Sequence, residues 1–442
     1  MGPPVDPREI IYHASSGEYI FSILLGSLFL LASYRLRQKE FLAKFLFSLG
    51  AVFLLTTPWI GASTNAVIGA YPTIDKQGSL LFYLDGVHQR AFFHPISSLE
   101  DPAYRLIGFH LGHFWIIEFF DLFLSPFAAY NAQMFLNMVF NLFFGSLFLE
   151  QMKVPRKKAL CFGLILGLQL HVFRDLHWYT IEKSSLFWIF LFWMYTEELC
   201  KLKEDIRYPF WGLSVLYLLA TWMNFYWGIL LGLLGFSYSL KMLRYRFSDY
   251  IDFWKAIMFC AILGLGIAWF QLQLSSPHQS FAAPEQFQER AILDSFTLSP
   301  LSWNRMGIWQ AINPVVLFLV FLALKQRIVS HFEGMLAVFF FLLALGPKIL
   351  DFSNPLYLLL SLIPGLWRLA KPEIFFLISY SLLVVWAGRA QLPSKRQHLI
   401  NIFLLCFWLL GLRNSKAYPY LTEYVSAALP ENWEKRFFPS ER

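Results

Sequence analysis

Apolar runs separated by short polar interruptions occupy almost the whole sequence. A membrane-crossing helix needs about 20 mostly apolar residues, fewer where the bilayer is locally thin. Twelve stretches fit that template: 19–34, 41–60, 126–149, 159–173, 184–199, 209–223, 226–240, 256–272, 309–324, 335–350, 373–388 and 399–412. The pattern predicts an all-α membrane protein of about twelve transmembrane helices, read as one polytopic unit over 1–442. Two larger extracytoplasmic loops, 61–125 and 273–308, and a C-terminal extracytoplasmic tail, 413–442, complete it.

Orientation follows from the connections, because cytoplasmic loops retain Lys and Arg. "RLRQKEFLAK", "KVPRKK", "KLKEDIR", "KMLRYRF", "KQR" and "RAQLPSKR" alternate onto one side. The opposite loops hold Asp75, Asp85, Glu100, Asp101, Asp175, Glu182, Glu285, Glu289, Asp294 and Asp351. The expected location is the plasma (inner) membrane, multi-pass, with both termini extracytoplasmic. Within the first long loop, "AYRLIGFHLGHFWIIEFFDLFL" gathers His110, His113, Glu118 and Asp121 on one side of a helix. That pattern suits an interfacial helix with a wet polar face. "LYLLLSLIPGLW" is too short to span and is broken by Pro364 and Gly365, which suits a re-entrant or interfacial piece.

Composition strengthens the membrane reading. Hydrophobic residues make up 57% of the chain and charged residues 15%, against roughly 45 to 50% and about 25% in a soluble domain. The net charge of +7 lies in short loops without a dense basic tract, so no nucleic-acid partner is expected. Cys161, Cys200, Cys260 and Cys406 lack CxxC spacing, and no zinc site or disulfide is implied. A P-loop, a dinucleotide fingerprint, HExxH and GxSxG are all missing from the sequence, which argues against chemistry driven by a soluble nucleotide.

Several polar clusters interrupt the apolar text. Asp85, in "YLDGVHQR" beside Gly86, has the chemistry to take a proton from an acceptor hydroxyl or to hold a divalent cation, and equally to cap a helix. His88 and Arg90 follow it. Glu100 and Asp101 suit helix capping ahead of Pro102. "HVFRDLHWYTIEKSS" places Arg174 and His177 in a tight turn between two spans. There they can grip an anionic headgroup or simply form an interfacial turn with Asp175 and Trp178. Arg368 and Lys371, in "PGLWRLAKPEIF", lie on the outer side against the positive-inside trend. An anionic ligand and snorkelling to lipid phosphates both account for them.

The order of four stretches resembles the GT-C class of polytopic membrane glycosyltransferases. They are "LDGVHQRAF", "LHVFRDLHWYTIEKSSLFW", "TWMNFYWGILLGLL" and "LGPKILDFSNPLYLLLSLIPGLWRLAKPEIFFL". The resemblance is to an architecture and covers most of residues 50 to 390. It implies a GT-C-like fold and transfer of a sugar from a polyprenyl-phosphate donor to an extracytoplasmic glycan, lipid or protein acceptor. On that footing Asp85 is the catalytic base or a metal-associated carboxylate, while His88, Arg90, Arg174, His177, Arg368 and Lys371 bind substrate. No cofactor is assigned, and a divalent cation at Asp85 stays open. Leu84 stands where the class commonly has Gly, and no second acid adjoins Asp85. Two alternatives therefore remain: a transporter or flippase of a lipid-linked or amphipathic anionic compound, and a catalytically silent assembly protein.

Overall fold

A computed structural model of the chain describes residues 11–12, 14–62, 66–68, 111–169, 172, 184–201, 207–245, 250–274, 313–345, 348–349, 352–356, 372–414 and 424–426. The described part is predominantly helical. The helices are α1 (Ser16–Arg35), α2 (Glu40–Leu55), the single turn α3 (Trp59–Ala62), α4 (Leu111–Asp121), α5 (Pro126–Gln151), α6 (Arg156–Gly167) and α7 (Phe187–Lys201). They continue as α8 (Arg207–Met223), α9 (Phe225–Met242), α10 (Ile251–Leu274), α11 (Pro314–Lys325), α12 (His331–Ala344), α13 (Phe376–Arg389) and α14 (Ser394–Asn414).

Local sequence sets many of these starts. Ser15 and Ser330 close capping boxes with Glu18 and Glu333, while Ser125, Asn224 and Asn313 each accept a hydrogen bond from a first-turn amide. Such caps satisfy donors that the helix itself leaves unpaired. Pro126 and Pro314 occupy the first turn, where a missing N–H costs nothing.

Hydrogen bonds between helix ends show that consecutive long helices run up and down. At one end Lys44 of α2 pairs with Glu150 of α5, and Glu40 pairs with Arg156 of α6 at 3.0 Å. At that same end Gln151 donates to Met194 O of α7 at 2.9 Å, Lys158 to Ala390 O at 2.7 Å, and Arg389 Nε to Met152 O at 2.6 Å. Arg389 also pairs with Glu333 at the start of α12. This is the end of the Lys- and Arg-rich turns, called here the basic end. At the opposite end Ser22 Oγ donates to Pro58 O at 3.0 Å and Trp408 Nε1 to Leu168 O at 3.1 Å.

Short strands modify the expected all-α class. β1 (Ile11–Tyr12), β5 (Tyr424–Ser426) and β2 (Ala66–Ile68) form an antiparallel sheet in the order β1-β5-β2, with Val425 between Ile11 and Val67. The sheet ties segments near both chain termini to the segment after α3, so all three share the end opposite the basic turns. β3 (Lys348–Ile349) pairs with β4 (Phe352–Ser353). The expected span 335–350 is thereby corrected: α12 stops at Ala344, short of Gly346 and Pro347, a dipeptide that cannot continue a helix cheaply.

Side-chain distribution is unusual for a water-soluble fold. Ile20, Phe21, Leu24, Leu28 and Leu31 of α1, Trp211, Val215, Leu219 and Trp222 of α8, and Leu317, Phe318, Phe321 and Leu324 of α11 all face outward. Gln133, Asn137, Asn141 and Thr221 are buried. Among the described residues α1 and the 127–151 portion of α5 are the helices long and apolar enough by themselves to cross a membrane. Close crossings hold the helices together: a Cβ on Gly50 would lie 2.8 Å from Gly26 O, and one on Gly167 would lie 2.5 Å from Asn141 O. Small residues of this kind let helix backbones approach without a large side chain between them.

Candidate functional site

A continuous row of buried polar side chains runs along α5, from Gln133 on the side away from the basic end to Asn141 just past the middle of the helix. Gln133, Asn137 and Asn141 recur every fourth residue, a spacing that stacks side chains along one helix face. All three are buried, so each amide requires partners. Gln133 Nε2 donates to Asn137 Oδ1 at 3.1 Å, and Asn137 Nδ2 donates to Ser184 Oγ at 2.9 Å. Asn141 Nδ2 donates to Ser184 O at 2.6 Å, and its Oδ1 accepts from Phe187 N at 2.8 Å. Ser185 Oγ then accepts from Trp227 Nε1 at 3.1 Å, linking α9 to the same row.

His113 joins from α4. Its Nδ1 lies 3.4 Å from Gln133 Nε2 and accepts when the ring proton is on Nε2. His113 is 0% exposed and Glu118 5%, whereas Trp115, Phe119, Leu122 and Phe123 of the same region face outward. This corrects the expected wet polar face. The helix turns its polar residues inward because it packs on α5 and α8, with Gly112 close against Met223 and Trp115 beside Trp222 at 6.1 Å.

The amides and hydroxyls of this row carry no formal charge. Their chemical effect is positional: they hold the entry to α7 and the first turn of α4 at fixed places on α5. In the sequence Asn137 and Asn141 fall within the expected span 126–149 and Asn224 between the expected spans 209–223 and 226–240, with no charged pathway evident among them. The structure gives each a partner instead. Asn224 Oδ1 accepts from Tyr226 N at 2.9 Å and caps α9, which makes the "TWMNFYWGILLGLL" hairpin a one-residue break between helices. Gln133, Ser184 and Ser185 were not anticipated, although the four-residue spacing of Gln133, Asn137 and Asn141 is readable in the sequence.

Asp85, His88, Arg90, Arg174, His177, Arg368 and Lys371 lie outside the described residues, as do His110, Glu100 and Asp101. The flanks of their segments are described. Residues 69–110 run between β2 and α4, and residues 173–183 between Val172 and Ser184. Residues 357–371 run between Leu356 and the 3-10 turn Pro372–Phe375. Asn354 donates to Leu342 O at 2.7 Å, and Phe375 packs 6.4 Å from Phe340, so both flanks of 357–371 sit on α12. Every one of these flanks lies at the end opposite the basic turns.

No family model matches the sequence, and no curated protein matches it.

Proposed function

We propose that this chain is a multi-pass membrane glycosyltransferase of GT-C-like architecture. It moves a sugar from a polyprenyl-phosphate donor to an acceptor on the face opposite the basic turns. The membrane part of the reading is supported by the outward apolar faces of α1, α8 and α11, while amides such as Gln133, Asn137 and Asn141 are buried within the bundle, an arrangement that is costly in water and natural in lipid. The inward-facing His113 and Glu118 fit the same surroundings. Helices as short as α6 and α11 then cross a thinned or shielded portion of the bilayer.

The observation that carries the site is the common end. The segments bearing Asp85, Arg174 and Arg368 all leave and return there, and the segments of Asp85 and Arg174 are flanked by groups moored to the same α5 row. On this reading Asp85 accepts the proton of the acceptor hydroxyl as it attacks the anomeric carbon. Arg174, His177, Arg368 and Lys371 hold the phosphate on which charge grows as the sugar departs, with His88 and Arg90 beside the acceptor. In this reading Asp85 acts on the acceptor hydroxyl directly, without a metal ion.

The test is Asp85→Asn in membranes supplied with lipid-linked sugars, with expression matched to the unaltered protein. Loss of radiolabelled product by on the order of 100-fold or more is expected for removal of a general base. Unchanged transfer removes Asp85 from the mechanism. Label that crosses the bilayer without forming a covalent product favours transport instead.

A further inference from the structure

At the basic end two turns lie side by side. Residues 36–39 join α1 to α2, and residues 152–155 join α5 to α6, with Arg35, Arg156 and Lys157 in the adjoining helix turns. The Glu40–Arg156 bridge at 3.0 Å and the Lys44–Glu150 pair clasp them together. Both acids there are thus already engaged. Arg35, Arg37, Lys39, Lys153 and Lys157 are all exposed, and among the described residues none has an acidic partner.

Two further features raise the local positive potential. The N-termini of α2 and α6 both open onto these turns, and neither Lys39 nor Pro155 supplies a side-chain cap. An uncapped helix start presents unpaired N–H groups and a partial positive charge. Immediately beside the cations, Leu31, Tyr34 and Phe41 present large apolar surface, and Arg37 lies 5.4 Å over the Tyr34 ring.

We propose that the paired turns bind the phosphate headgroup of an anionic phospholipid, whose acyl chains lie along Leu31, Tyr34 and Phe41. The apolar surface beside the cations distinguishes this occupant from a free phosphate, which has no use for it. The inference rests on the membrane reading above and not on the transfer chemistry.

The test uses the full chain in nanodiscs of phosphatidylcholine, with and without phosphatidylglycerol, scoring lipid enrichment around the protein and thermal stabilisation. One variant is Lys39→Gln/Lys153→Gln/Lys157→Gln. A control, Arg244→Gln/Lys325→Gln/Arg396→Gln, removes the same charge from exposed positions on other turns. At about fivefold per cation, the first variant should bind phosphatidylglycerol on the order of 100-fold more weakly, and the control should keep most of the preference. Equal loss in both variants, full retention in the first, or stabilisation by glycerol phosphate equal to that by the lipid overturns the proposal. Release of the chain from native membranes by alkaline carbonate is a separate outcome, because it would overturn the membrane reading itself.

Discussion

Arg389 offers the sharpest test of how the helices are joined. Its Nη1 lies 2.9 Å from Glu333, its Nε donates to Met152 O at 2.6 Å, and the two charged side chains are 13% and 12% exposed. Glu333 also accepts from Trp386 Nε1 at 3.2 Å and Ser330 N at 3.3 Å. One guanidinium therefore joins α13, α12 and the turn after α5. Removing one partner of a buried ion pair costs about 3–5 kcal/mol, because the other charge stays buried without its counterion. Glu333 retains two donors in Arg389→Met, so about 3 kcal/mol is the expected loss. Glu333→Met should cost as much or more, since the guanidinium then keeps only a neutral carbonyl. The double variant Glu333→Met/Arg389→Met removes both charges and leaves three neutral groups without their partner: Met152 O and Trp386 Nε1, at about 1 kcal/mol each, and Ser330 N, whose bond is exposed to water. It should therefore melt near, or above, either single variant. The assay is the ranking of apparent melting temperatures of detergent-solubilised protein at one scan rate, since unfolding of such a chain is read kinetically. A double variant whose loss equals the sum of the two single losses would refute the reasoning.

Asn141→Ala leaves Phe187 N without its acceptor and removes one of two donors from Ser184 O, which keeps Leu186 N at 3.1 Å. At about 1–3 kcal/mol for a buried amide left unpaired, it should destabilise more than Asn137→Ala, whose partner Ser184 Oγ can rotate and whose donor Gln133 Nε2 still has His113 Nδ1 at 3.4 Å; the comparison is read by thermal unfolding. Glu40 tests the clasp at the basic end by pH. Its hydrogen bond with Lys44, aided by the charges of Lys44 and Arg156, holds its carboxyl below 4.5. A depressed carboxylate pKa contributes stability above pH 4.5 that disappears as pH falls through the folded value. Acid-induced loss of stability should therefore be shallower in Glu40→Gln than in the unaltered chain, and identical acid profiles would exclude the contribution.

Element existence was legible because long apolar runs dominate the sequence, and the cores of α1, α5, α7, α9 and α10 fall inside the expected stretches. The sheet was not, since strands of two or three residues show no alternation and Ile11 meets Val425 from the far end of the chain. The end of α12 was missed because the apolar content of 345–350 outweighed its Gly-Pro signal. Cations at the basic end read from sequence as solvated topology markers. Lys44, Lys158 and Arg389 instead bond across helices, a distinction invisible to residue counts because pairing depends on what packs opposite. The face of α4 read inverted for a related reason: periodicity identifies a polar stripe, but only the neighbouring helices decide whether water or protein meets it.

The two ends also divide the electrostatic work. The basic end is locked by ion pairs among helices, whereas the α5 row at the other end is built from amides and hydroxyls with His113. Amides and hydroxyls fix backbone position in such a row without adding a formal charge of their own. If phosphate chemistry occurs at that end, the compensating positive charge has to come from the segments 173–183 and 357–371, where Arg174, Arg368 and Lys371 occur, and not from the helices that anchor them. Damage to the row should then lower the amount of folded protein and leave the pH dependence of transfer unchanged. Neutralising Arg174 or Arg368 should do the reverse, and that contrast separates anchoring from catalysis even though both groups of residues serve the same end of the molecule.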